Sequence, residues 1–260
     1  MEIIGYKKLK TNLYEITIKD GLNKDKIELY DDIILKYELL IDKTLTKTKL
    51  NTIIKENEIT KSYFEVLKYI SRKMRTEKEI KEFLKTKEYS EYSIQKSIDR
   101  LKKEGYINQE KYISSYINDA LQLSNDGPIK IKDSLMKLGI NERLIDESLE
   151  QIDQVVFKNR MIKIIEKKKK INKNSEIIFK TKLKSQLFLL GYPEEMIKSL
   201  MDGMEIDESA NFEREANKCW DYLARKYKDR ELVLKFKNKM YTKGFQLDMI
   251  NNFIDNKTSQ

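Results

Sequence analysis

Four residues set in register, Tyr89, Ile140, Tyr192 and Phe245, lie 51, 52 and 53 residues apart and expose an internal repeat that leaves little choice of fold. Five residues before each anchor stand Leu84, Leu135, Leu187 and Met240, and nine before stand Ile80, Ile131, Leu183 and Phe236. Five residues after come Ile94, Ile145, Ile197 and Ile250, and nine after come Ile98, Leu149, Met201 and Ile254. A step of four places each pair on one face of a helix, so every unit holds two amphipathic helices around a turn. Gly139, Gly191 and Gly244 directly precede the anchor in three units. Glycine there suits the left-handed residue that ends a helix. Ser90, Asn141, Pro193 and Gln246 then open the next helix; Ser and Asn are good caps and Pro suits the first turn. A further apolar segment lies upstream in each unit: Tyr63–Tyr69, Tyr112–Leu121, Val155–Ile165 and Ala216–Tyr227. The spacing predicts a mostly α chain, a tandem array of four three-helix repeats, curved and solenoid-like.

The repeats are expected over 59–108, 109–155, 156–205 and 206–260, with a small α+β domain over 1–58 in front of them. In that first segment Glu2–Lys8 and Leu13–Lys19 are β-compatible, and Asp20-Gly21 signals a turn before Lys26–Tyr30. Tyr14, Ile16 and Ile18 alternate with polar residues, as a half-buried strand requires. Asp31 or Asp32 is expected to cap a helix carrying Ile34, Leu35, Glu38 and Leu39, and another helix is expected from Thr46 or Thr48 to Glu58. With two prolines and eight glycines in 260 residues, few hard breaks interrupt long helices.

The chain contains no histidine and only Cys219, so the commonest general base is missing and no Cys/His zinc site can be assembled. Cys219 lies between Lys218 and Trp220 and reads as part of an ordinary packed helix face, with Trp220 as an anchor of the fourth repeat. Neither phosphate-binding glycine motif is present. The pairs Glu194–Glu195 and Asp31–Asp32 read as helix N-terminal charges, which the helix dipole favours. A non-enzymatic protein is expected, with no catalytic, cofactor-binding or metal-binding residues. Met1–Lys10 lacks the apolar core of a signal peptide and no 18-residue apolar run occurs, so a soluble, cytoplasmic protein is expected.

Charge is unevenly distributed. The chain nets +9, and Lys158–Lys184 alone, with eleven Lys/Arg against two Glu, nets +9. A field so concentrated suits a polyanion, because neutralised phosphates release condensed counterions; a solvated helix and linker is the plain alternative. Lys68–Lys87 nets +5 and Tyr222–Lys243 nets +6, whereas Glu110–Val156 holds five basic and nine acidic residues. Tyr222, Tyr227 and Tyr241 would stack on bases if exposed, although tyrosines at helical spacing usually belong to a half-buried core.

The stretch Ser71-Arg72-Lys73-Met74-Arg75-Thr76-Glu77-Lys78-Glu79-Ile80, followed by Leu84, Ile94, Leu101 and Gly105-Tyr106-Ile107, resembles the signature of the RecX family. The resemblance continues through Lys111-Tyr112-Ile113-Ser114-Ser115-Tyr116, Gly127-Pro128, Ile131, Leu135 and Gly139-Ile140. It covers Tyr63 to Ile152, and reaches the later units through the repeat. Asn108-Gln109 stands where the family carries an acidic pair, read here as a helix cap. The resemblance implies a curved array of three-helix repeats that lies along the groove of the RecA filament. It would inhibit RecA ATPase and recombinase activity, or promote disassembly, in DNA repair and the SOS response. Implied partners are the RecA filament and single- and double-stranded DNA met by basic patches, with no membrane, small-molecule substrate or cofactor. Candidate contacts are Arg72, Lys73 and Arg75; Lys167, Lys168, Lys169, Lys170 and Lys173; and Arg225, Lys226, Lys228 and Arg230. Arg72, Lys73 and Arg75 would equally serve as cations at a helix end. Two other readings stay open: a DNA-binding regulator using Ile94–Asn108, flanked by Arg100, Lys102 and Lys103, and a helical-repeat adaptor for another protein.

Overall fold

The computed structural model describes residues 1–202, 204, 206 and 208–258. Strands β1 (Glu2–Lys10), β2 (Leu13–Asp20) and β3 (Asn23–Tyr30) form an antiparallel sheet in sequence order. Ile3 faces Ile18 and Ile16 faces Ile27 across the pairs, and Gly21 takes a left-handed φ of 61° in the turn between β2 and β3. The alternation in β2 buries Ile16 and Ile18 against Leu29, Ile33, Leu39 and Ile53. Helix α1 (Asp31–Lys36) follows at once. Its N-cap is Tyr30, without a side-chain bond, and Asp31 and Asp32 occupy the first turn instead of the cap. The strand runs to Tyr30, leaving no extended residue at 31 to act as a cap.

Twelve further helices are described, in four triplets. The first is α2 (Lys47–Ile70), α3 (Glu77–Thr86) and α4 (Glu91–Lys103). The second is α5 (Gln109–Leu123), α6 (Pro128–Lys137) and α7 (Glu142–Glu150). The third is α8 (Gln154–Lys170), α9 (Glu176–Leu189) and α10 (Glu194–Met201). The fourth is α11 (Glu208–Ala224), α12 (Asp229–Thr242) and α13 (Leu247–Thr258). Thr46 caps α2, and the helix expected to run toward Glu58 continues past it unbroken for 24 residues, since no Gly or Pro lies between Lys47 and Ser71. One helix therefore serves two cores, Ile53 under the sheet and Tyr63 and Val66 within the first triplet.

The chain divides into two compact units, Met1–Ser115 with Leu135–Leu144, and Tyr116–Ser134 with Ile145–Gln260. In both, the repeat positions form the core. Ile80, Leu84, Ile94 and Ile98 are fully buried in the first unit, and Leu183, Leu187, Ile197, Phe236, Met240 and Ile250 in the second. Tyr192 and Phe245 are buried in their turns, whereas Tyr89 and Leu149 are half-buried. Trp220 is half-buried too, with its ring edge-on to Phe236 at 5.2 Å.

The glycine turns do more than end a helix. Gly191 has φ 81°, and a Cβ there would lie 2.4 Å from the Lys130 backbone N and 2.5 Å from its Cβ. Gly127 N–H donates to Leu190 O at 2.6 Å and Ile129 N–H to Gly191 O at 3.0 Å. The opening of α6 is thus pinned to the turn between α9 and α10. Ser175, which caps α9, likewise donates its N–H to Lys243 O at 2.8 Å, with Gly244 packed against its side chain. In the first unit Lys78 of α3 lies over Gly139 and its ammonium donates to Lys137 O at 3.0 Å. The starts of α3, α6 and α9 are therefore fastened to the glycine turn of the following triplet, by backbone bonds at α6 and α9 and by the Lys78 side chain at α3.

The first triplet lacks that glycine. Glu88 takes the left-handed place, with φ 61°, and is exposed. Glu88→Gly removes about 1–2 kcal/mol of left-handed strain against about 0.5–1 kcal/mol of added unfolded-chain entropy. A small rise in the urea midpoint is expected; a fall would show that the Glu88 side chain itself stabilises the turn.

Candidate nucleic-acid interface

The lysine run sits where helix physics places it. Lys167–Lys170 form the last turn of α8, at the negative end of the helix dipole, which offsets part of their mutual repulsion. Lys167, Lys169 and Lys170 are exposed and Lys168 is half-buried. The loop that follows is tied down from within. Asn172, 7% exposed, donates to Asn174 O at 2.9 Å and accepts from Asn174 N–H at 3.0 Å. Two residues of α11 complete the tie: Asn211 donates to Asn174 O at 2.8 Å and Arg214 to Asn172 O at 3.0 Å. Lys173 is consequently presented to solvent from a fixed backbone.

Two grooves open beside this loop. One, of about 300 Å³, is lined by Lys168, Lys173, Lys182 and Gln186 with Ile171 and Phe179. The other, also about 300 Å³, lies between α11 and α12 and is rimmed by Lys173, Lys218, Lys239 and Lys243, with Tyr222 at its edge. Glu215 is the acid in this second groove. Burial opposes its ionisation, but the Lys243 ammonium at 2.8 Å, with Lys173 and Arg214 nearby, holds its carboxyl below the usual range. The buried ion pair leaves Lys173, Lys218 and Lys239 to set the sign of the rim.

The remaining candidates are distributed as follows. Arg72 and Lys73 are exposed in the link between α2 and α3. Arg75 is occupied elsewhere: its guanidinium stacks on Tyr69 at 4.4 Å and bonds Glu79 at 2.9 Å, beside the capping box of Thr76 and Glu79. Arg225, Lys228 and Arg230 are exposed around the α11–α12 connection. Lys226 donates to the Tyr222 hydroxyl at 2.8 Å. In the second unit the structure brings Lys168 and Lys173 together with Lys182, Lys218, Lys239 and Lys243, four lysines that the reading of the sequence missed. For three of them the signal was present as i, i+4 spacing: Lys218 to Tyr222 on α11, and Lys239 to the α12 C-cap Lys243. Which faces meet is a tertiary fact.

The α4 segment offers less as a recognition helix. Arg100 bonds Glu104 at 2.9 Å and covers the Tyr63 ring at 3.8 Å, and Lys102 pairs with Glu77 at 2.6 Å. Asn108 accepts from Lys111 N–H at 2.9 Å, capping α5 as its place in the motif leads one to expect. Among the described residues no cluster of His, Cys, Asp and Glu suits a metal ion, and no helix is long and apolar enough to cross a membrane.

Fold and surface together define a tandem helical-repeat protein with lysine-lined grooves. Residues 64–101 match the family model for RecX, first three-helix domain. The chain is 27% identical over 264 residues to a regulatory protein RecX of Bacillus mycoides strain KBAB4, covering 99% of this chain and 97% of the relative. It is 29% identical over 234 residues to that of Bacillus cereus strain AH187, covering 88% and 86%. A crystal structure of regulatory protein RecX superposes with a TM-score of 0.68 at 21% identity, covering 78% of this chain and all of that one. RecX from Lactobacillus salivarius gives 0.54 at 26% identity, covering 56% and 96%. The chain is similar to regulatory proteins RecX along most of its length, and to the RecX family model over its first three-helix repeat.

Proposed function

We propose that this protein binds RecA–DNA filaments in the cytoplasm and restrains RecA ATP hydrolysis and strand exchange, without a reaction of its own. Similarity to regulatory proteins RecX over most of the chain supports the regulatory role. The observation that carries the DNA half of the reading is the fixed loop at Lys173, which joins the Lys167–Lys170 turn to two basic grooves. Phosphates met by that surface would release counterions and supply sequence-independent affinity. Such affinity suits a filament, whose DNA carries any sequence. The test is RecA ATP hydrolysis on single-stranded DNA with this protein added below stoichiometry. Suppression is expected, and an undiminished rate removes the reading.

A further inference from the structure

We infer that the groove between α11 and α12 seats one base–phosphate step of a single DNA strand, with Tyr222 as the stacking platform. The inference rests on the DNA-binding part of the proposed function and assigns it a place. Tyr222 is 49% exposed at the lip of the groove, not packed into the core. Its ring is flanked by the ammonium groups of Lys226, 4.6 Å from the centroid, and Lys239, 4.9 Å away. Both lysines ride on flexible four-carbon stems, so a base can displace one of them from the ring face. The displaced ammonium then lies beside the phosphate attached to that base.

The rest of the groove fits such a ligand. Lys173, Lys218 and Lys239 have no ion-pair partner among the described residues, while the one acid present, Glu215, is neutralised by Lys243 at 2.8 Å. A volume of about 300 Å³ suits a nucleotide-sized group. A strand is favoured over a free nucleotide because Lys173 also lines the neighbouring groove with Lys168 and Lys182, which continues the basic path. A single strand is favoured over a duplex because bases stacked within a duplex offer no free face to a side-chain ring.

Fluorescence anisotropy on the full chain tests this with three labelled probes: an oligo-dT, an abasic strand of equal length and a duplex. Tyr222→Leu is expected to weaken oligo-dT binding by roughly 5–150-fold, the worth of one stacked base. Tyr222→Phe, which keeps the ring and loses the bond to Lys226, should stay within about twofold on the same reasoning. The abasic strand and the duplex should bind wild type and Tyr222→Leu alike. Equal losses on oligo-dT and the abasic strand would overturn stacking and leave an anion groove only. Wild-type affinity of Tyr222→Leu for oligo-dT, or no binding of oligo-dT by the wild type, would overturn the site altogether. The RecA reading fails separately: a protein that shows the Tyr222 effect and leaves RecA hydrolysis untouched keeps this inference and loses that function.

Discussion

Gly191→Ala is expected to make the second compact unit roughly 2–5 kcal/mol less stable, from left-handed strain plus overpacking. The strain comes from φ 81°, which an alanine tolerates poorly. The overpacking comes from a Cβ placed 2.4 Å from the Lys130 backbone N and 2.5 Å from its Cβ. Backbone cannot step aside as a side-chain tip can, so the bonds from Gly127 and Ile129 to this turn would be lost or stretched. Gly105→Ala separates the two causes. Gly105 has φ 79° but nothing within 4 Å of a built Cβ, so its loss should be only about 1–2 kcal/mol. Urea unfolding of both variants makes the comparison. Equal losses would mean that the close approach at Gly191 contributes nothing.

The second large effect concerns DNA. Replacing Lys167, Lys168, Lys169, Lys170 and Lys173 with Gln should weaken single-stranded DNA binding and flatten its dependence on salt. At about 0.7 in the log–log slope per phosphate neutralised, five lysines in contact would lower the slope by ~3–4. A fall of one or two would mean that part of the run faces away from the strand. The fold is expected to hold, because each lysine in the last turn of α8 contributes only about 0.3–1 kcal/mol through the helix dipole. A slope identical to wild type would exclude the run as the DNA contact, whatever happened to affinity.

The core was legible because it depends on local periodicity. The residues five and nine places from each anchor had only to lie on one helix face, and most are buried as that requires. The glycines were legible as helix ends but not as points of close approach, since Lys130 and Ser175 lie far from Gly191 and Gly244 in sequence. The left-handed Glu88 was not legible at all, because nothing in its identity marks the strain. Two local expectations gave way to continuity. Tyr30 displaced the aspartates as the cap of α1, and α2 ran past Glu58 because no breaker stood in its path. For the candidate site, the density of lysine in 158–184 marked the stretch that the structure places at the end of α8, in the following loop and on α9. It could not show that Asn172, Asn211 and Arg214 fix the loop, or that α11 and α12 bring Lys218 and Lys239 toward Lys173. Arg75 illustrates the converse: a basic residue in a basic stretch, held by Tyr69 and Glu79.

The most direct measurement is the steady-state rate of ATP hydrolysis by RecA on single-stranded DNA while this protein is titrated from zero to well below one copy per RecA. A steep fall in rate is expected at substoichiometric protein, and a shallower fall with the five-lysine variant at the same concentrations. A rate that stays level across the titration, with folded protein and RecA from the same source, would contradict the proposed restraint of RecA.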